Sequence, residues 1–118
     1  MNENNRLDYG GSLELFEKLI STISGLERKG KTMPYTSLNG HMFSFLAKDG
    51  TMGLRLPKES REEFLEEHNS MLMVQHGSVM KEYVMVPDYL LQDTDRLKAY
   101  YLESYQYIKS LKPKPTKK

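Results

Sequence analysis

The 118 residues include no cysteine. Disulfide staples, thiolate metal sites and cysteine nucleophiles are thereby excluded, and a reducing compartment is allowed but not required. An excess of charge of one sign is also missing: 17 Lys and Arg face 16 Asp and Glu, a formal net charge of +1. No global field therefore directs the chain to nucleic acid, anionic lipid or an acidic partner. No apolar run approaches the roughly 18 residues needed to span a bilayer. Residues 1–8 are polar, without a basic stretch leading into an apolar one, so no secretory leader is expected and the cytoplasm is the expected location. Histidine is sparse, and the three present, His41, His68 and His76, have neither H-E-x-x-H nor H-x-H spacing. Two rings on one element therefore cannot converge on one metal.

What is there describes one globular domain. The hydrophobic share is 38% and the charged share 28%, as in chains that bury a core, and the length suffices for a core without staples. Residues 1–11 read as a flexible tail, 12–111 as a single domain and 112–118 as a basic C-terminal tail. Ser12 is the expected N-cap of a helix over 12–26, with Leu15, Phe16, Leu19, Ile20, Ile23 and Leu26 at helical spacing. The period then changes to two. Strands are expected at 33–38, 41–48 and 51–56, joined by two-residue turns at Asn39-Gly40 and Asp49-Gly50. Pro34 confines the first to an edge or a strand start. In the third, Met52, Leu54 and Leu56 share a buried face.

Pro57 closes that strand, and Ser60-x-x-Glu63 predicts a capping box for a short acidic helix over 60–68. Strands at 70–75 and 79–86 follow, with a turn at His76-Gly77. A last helix over 93–111 carries Leu97, Tyr100, Tyr101, Tyr105, Ile108 and Leu111 on one stripe. The order αβββαββα predicts an α+β fold: a two-layer antiparallel sheet with helices, strands arranged 3 + 2.

Few of these residues point to chemistry. The histidines read as surface or capping positions, and Glu59, Glu62, Glu63, Glu66 and Glu67 as a solvated helix face. The serines lack a nucleophile-elbow context. No catalytic residue, cofactor site or metal site is expected. Nucleic-acid or anion contact would rest on Arg55, Lys112, Lys114, Lys117 and Lys118, against a near-zero net charge and tyrosines that lie on a core stripe.

The strands themselves carry the sharper signal, because they are apolar on both faces. Phe43 and Phe45 oppose Met42 and Leu46; Met71 and Met73 oppose Leu72 and Val74; Val79, Tyr83 and Met85 oppose Met80, Val84 and Val86. A sheet with one wet face alternates more cleanly. Either a terminal helix wraps across the second face or another subunit covers it. The second reading makes Met42, Leu46, Met71 and Met73 contacts of a homodimer or of a protein partner.

The segment Asn39-Gly-His-Met-Phe-Ser-Phe-Leu-Ala-Lys-Asp-Gly-Thr-Met-Gly-Leu-Arg-Leu56 resembles the hairpin region of the TfoX N-terminal domain family. There a strand opens with Met-Phe, turns at Asp-Gly and returns with alternating apolar residues bearing a Lys or Arg, here Arg55. Arg61-Glu-Glu-Phe64 is similar to the family's short helix, Tyr83-Val-Met-Val-Pro87 to its Tyr-Tyr-x-Val-Pro strand end, and Leu91-Gln-Asp-Thr-Asp-Arg-Leu97 to its Leu-x-Asp-x-Asp-x-Leu helix entry. The resemblance spans roughly residues 12–111. Where the family has Arg-Met-Phe-Gly-Gly, this chain reads Met33-Pro-Tyr-Thr-Ser-Leu38, keeping only the Met. The family's competence regulator continues into a second domain, whereas this sequence ends at Lys118. The resemblance implies a bacterial stand-alone domain with the αβββαββα fold, similar to the two-layer secretion chaperones, and it implies no known reaction. The expectation is a non-enzymatic protein-interaction or regulatory domain; the alternative is a nucleic-acid-associated regulator using Arg55 and the lysine-rich tail.

Overall fold

Asp8, not Ser12, starts the first helix. The computed structural model describes residues 7–113, and α1 spans Tyr9–Ile20 with Asp8 as its N-cap. The Asp8 carboxylate accepts from the Gly11 N–H at 2.8 Å, satisfying one of the amides a helix start leaves free. Residues 9–11 therefore belong to the helix rather than to a tail. The helix also stops short of residue 26. The Ser21 and Thr22 hydroxyls turn back onto the Lys18 and Leu19 carbonyls, and Gly25 takes a φ of 84°. Ile23 and Leu26 still pack against the core from the turns that follow.

The strands are β1 Tyr35–Leu38, β2 His41–Leu46, β3 Met52–Arg55, β4 Leu72–Gln75 and β5 Ser78–Val86. The first four are trimmed relative to the sequence reading and β5 begins one residue earlier. They form one antiparallel sheet in the order β1-β2-β3-β5-β4, the expected 3 + 2 arrangement. Asn39-Gly40 and His76-Gly77 take positive φ at both positions, as a type I′ turn requires. The loop at Asp49-Gly50 differs. Only Gly50 has positive φ there, at 90°. Ala47 N–H reaches Thr51 O at 2.8 Å while Gly50 N–H reaches Ala47 O at 2.9 Å. This is a three-residue loop ending in a left-handed glycine, and the Asp49 carboxylate steadies it by accepting from Thr51 N–H.

The second helix, α2, is Lys58–Glu67, capped by Pro57 with no side-chain hydrogen bond. The expected capping box does not form, because the helix starts at Lys58 and leaves Ser60 inside its first turn, where the hydroxyl donates to Glu103. A short helix, α3 Asp88–Leu91, precedes the last helix, α4 Thr94–Ser110. Asp93 caps α4 by accepting from Arg96 N–H.

Two adjacent rows of side chains explain the layering. Directly paired residues share a face, and the row Thr36, Ser44, Leu54, Val84, Leu72 crosses all five strands. It faces the helices, where Phe16, Leu19, Phe64, Leu97, Tyr101 and Ile108 complete the main core. Burying each such leucine or phenylalanine contributes about 1.5–3 kcal/mol. Tyr101 brings a polar tip into this layer and is satisfied there, its hydroxyl 3.0 Å from Ser44 Oγ and 3.3 Å from Thr36 Oγ1. The next row, Tyr35, Phe45, Gly53, Met85, faces the other way.

Candidate functional site

The second face has its own smaller core. Phe45, Ala47 and Met73 are buried there, with Met33, Tyr35, Met42, Met80, Tyr83 and Met85 packed around them. Two irregularities in the ladder build this cluster. Between the pairs Thr36↔Ser44 and Ser37↔Met42 the register slips, so Phe43 is a bulge residue. Phe43, Ser44 and Leu46 then lie with the helix-side core, while Met42 and Phe45 meet on the second face. The simple alternation that grouped Phe43 with Phe45 and Met42 with Leu46 is thus corrected by one extra residue.

The other irregularity is larger. Between Leu72↔Val84 and Val74↔Val79, β4 contributes Met73 alone while β5 contributes residues 80–83. The surplus bends the distal hairpin back over the second face. Met73 ends up against Gly53, where an added Cβ would lie 3.0 Å from Met73 Cγ and 2.5 Å from Phe45 Cε1. In a flat sheet β4 would be two strands from β3, roughly 10 Å away. Only a residue without a side chain admits this approach. Tyr83 completes the cover by donating its hydroxyl to Met42 O at 2.7 Å and meeting Phe45 edge-on at 5.8 Å. The centre of this face is closed by the chain's own hairpin rather than by a terminal helix.

That fold-back leaves the outer side of the hairpin in solvent. Val74 is 51% exposed, Val79 55% and Met71 61%, so three of the large apolar side chains in water belong to β4, β5 and the residue before β4. Val74 and Val79 are direct cross-strand partners. Residues 69–80 include no Lys, Arg, Asp or Glu. A cleft of about 570 Å³ opens beside the hairpin tip, lined by Met33, Ala47, Lys48, Asp49, Gln75 and His76 among others.

The four expected interface residues are therefore dispersed. Met42 and Met73 meet in the second-face cluster, Leu46 is fully buried beneath the helices, and Met71 stands exposed at the foot of β4. Val74 and Val79, read from the sequence only as apolar strand residues, are the exposed cross-strand pair.

His68 departs furthest from its expected role. It is the C-cap of α2, yet only 7% of it is exposed. Its ring packs tilted against Phe64 at 4.6 Å, with Nδ1 2.5 Å from Tyr89 Oη and Nε2 3.0 Å from Tyr100 Oη. Tyr100 donates its proton to Glu67 Oε1 at 3.2 Å, so its oxygen accepts from His68 Nε2–H. Nδ1 then accepts from Tyr89 O–H. Every group in this chain is satisfied with a neutral imidazole. Burial lowers the His68 pKa from its ordinary value, with Glu67 opposing and Arg96 assisting. Burial and Glu67 raise that of Tyr100. His68 also lines a cleft of about 350 Å³ with Thr51, Ser70, Met71, Met85 and Asp88.

The basic positions fare differently. Arg55 is bound: Nε donates to Glu82 Oε1 at 2.6 Å, and the guanidinium lies 6.0 Å from the Tyr83 ring and 5.8 Å from the Tyr107 ring. Burial alone would lower its pKa, but Glu82 carries it above the ordinary value. Its charge is thus largely neutralised within the fold. Lys112 is exposed, and its carbonyl accepts from His41 Nε2 at 2.9 Å. Lys114, Lys117 and Lys118 lie outside the described residues. Among the described residues no helix is long and apolar enough to cross a membrane, and no group of three or more His, Cys, Asp or Glu side chains could hold a metal ion. No family model, curated protein or solved structure matches the chain.

Proposed function

We propose that this chain is a protein-interaction or regulatory domain of the kind its resemblance to the TfoX N-terminal domain family implies, and that it binds through the β4–β5 hairpin. One observation carries the reading: the cross-strand pair Val74 and Val79 is exposed on the uncharged stretch 69–80 at the β4 end of the sheet, with Met71 exposed at the foot of the same hairpin. Apolar side chains scattered singly over a surface need no explanation, but a group on an edge with free backbone is a docking surface or an aggregation hazard. The test is a comparative capture. Wild-type chain and a Val74→Lys/Val79→Glu chain, both folded by circular dichroism, are used as bait in the source cell. Protein held by the first and lost by the second supports the reading. Identical captured sets would end it.

A further inference from the structure

We infer that β4 pairs edge to edge with β4 of a second copy of this chain, an identification of the partner that rests on the hairpin being the binding surface. The two edges of the sheet are not alike. At the β1 edge Lys29 and Tyr35 form a backbone bridge, with N–H to O distances of 2.8 and 3.0 Å. Lys29 Nζ adds a bond to Ser37 Oγ, and Pro34 immediately precedes the strand. Covering segments, proline and lysine are ordinary devices that keep an edge from pairing. Among the described residues β4 carries neither proline nor lysine and forms no bridge to a further segment, and each edge strand has an irregular register on its inner side.

The outward backbone groups follow from the turn. Gln75 and Ser78 flank a two-residue turn and bond to each other, so the N–H and C=O of Val74 point away from β5. The Val74 carbonyl takes only its neighbour's side chain, Gln75 Nε2 at 3.0 Å. A second β4 running antiparallel supplies a backbone donor and acceptor there.

Charge selects the occupant. With no Lys, Arg, Asp or Glu in residues 69–80, the strand offers nothing for a charged partner to recognise. Laid against its own copy, it sets no like charges opposite each other. A two-fold axis makes such a contact self-complementary, and the blocked β1 edge stops association at two chains.

Sedimentation across a micromolar-to-millimolar dilution series reads the state directly. Wild type is expected to shift from monomer to dimer, with amide-exchange protection of Val74 rising with concentration. Val74→Lys and Val74→Asp, at a half-exposed position, are each expected to weaken self-association about tenfold or more, because a symmetric contact counts the substitution twice. Mixing the two variants is expected to restore it. A wild type that stays monomeric to millimolar concentration overturns the inference, as does a dimer indifferent to both variants. A monomer whose capture partners still depend on the hairpin would leave the proposed function standing with a different partner.

Discussion

The two faces of this sheet are built from different materials. Beneath the helices the core is leucine, isoleucine, phenylalanine and valine, with a single methionine, Met52, and one satisfied tyrosine tip. On the other side Met33, Met42, Met73, Met80 and Met85, five of the chain's eight methionines, surround Phe45 and Ala47. The first face is closed by four helices, the second by a hairpin bent across it. Branched side chains with few rotamers specify one packing, whereas unbranched thioethers fill the irregular gaps beneath a bent hairpin. The difference separates a scaffold from a compliant layer, and the exposed hairpin belongs to the compliant side.

The largest expected effect lies on the helix face. Leu54→Ala, at a fully buried position, is expected to cost about 4 kcal/mol, within the range for buried leucines. Met73→Ala is expected near the bottom of that range, at about 2 kcal/mol, because a small cluster collapses more readily around a gap. Denaturant midpoints give both values. Amide exchange should show the Met73 variant loosened in β4 and β5 alone; uniform loosening would make the two clusters one core.

Gly53→Ala tests the fold-back directly. The new methyl group would meet the Phe45 ring and Met73, and an overpacking cost of about 1–3 kcal/mol is expected. Adding Phe45→Leu should recover part of it, measured as coupling in a double-mutant cycle. A neutral Gly53→Ala would mean that the hairpin does not press on β3.

His68 stands where the layers meet, packed against Phe64 of the helix side and lining a cleft with Met71 and Met85. Because its folded-state pKa is lowered, the unfolded chain binds the proton more readily. The stabilising contribution is complete above a pH of about 6.5 and declines as pH falls below it. His68→Gln should flatten that acid slope in urea titrations at several pH values. An unchanged slope would assign it to Glu67 and other carboxylates. The smallest effect is expected at Ser12, whose buried hydroxyl lacks a partner among the described residues. Ser12→Ala should change stability by no more than about 0.5 kcal/mol, or raise it slightly.

The α+β class, the 3 + 2 strands and two of the three hairpin turns were legible because periodicity and Asn-Gly or His-Gly pairs act locally. Bulges are not local. Nothing near Phe43 announces the extra residue that shifts it to the helix face, and the four-against-one mismatch of β5 and β4 exists only once they pair. Asp8 outcompeted Ser12 as a cap although both are good capping residues, because the helix start is also fixed by Leu7 N–H reaching Asp88. The His68 network was hidden for a similar reason: Tyr89 and Tyr100 lie 21 and 32 residues away. At Arg55 the partner is Glu82, 27 residues on, and a basic residue read alone looks free.

That bond from Leu7 to Asp88 joins groups 81 residues apart, and α1 packs on α3 and α4, the last helices of the chain. During synthesis α1 emerges long before these partners exist. A twelve-residue helix is marginal in water by itself. Of the elements α1 packs on, only β2 follows closely, and closing the long span to α3 and α4 is slow. Docking of the first helix is therefore expected to come late in folding, and mutations in α1 should speed unfolding while leaving the refolding rate nearly unchanged.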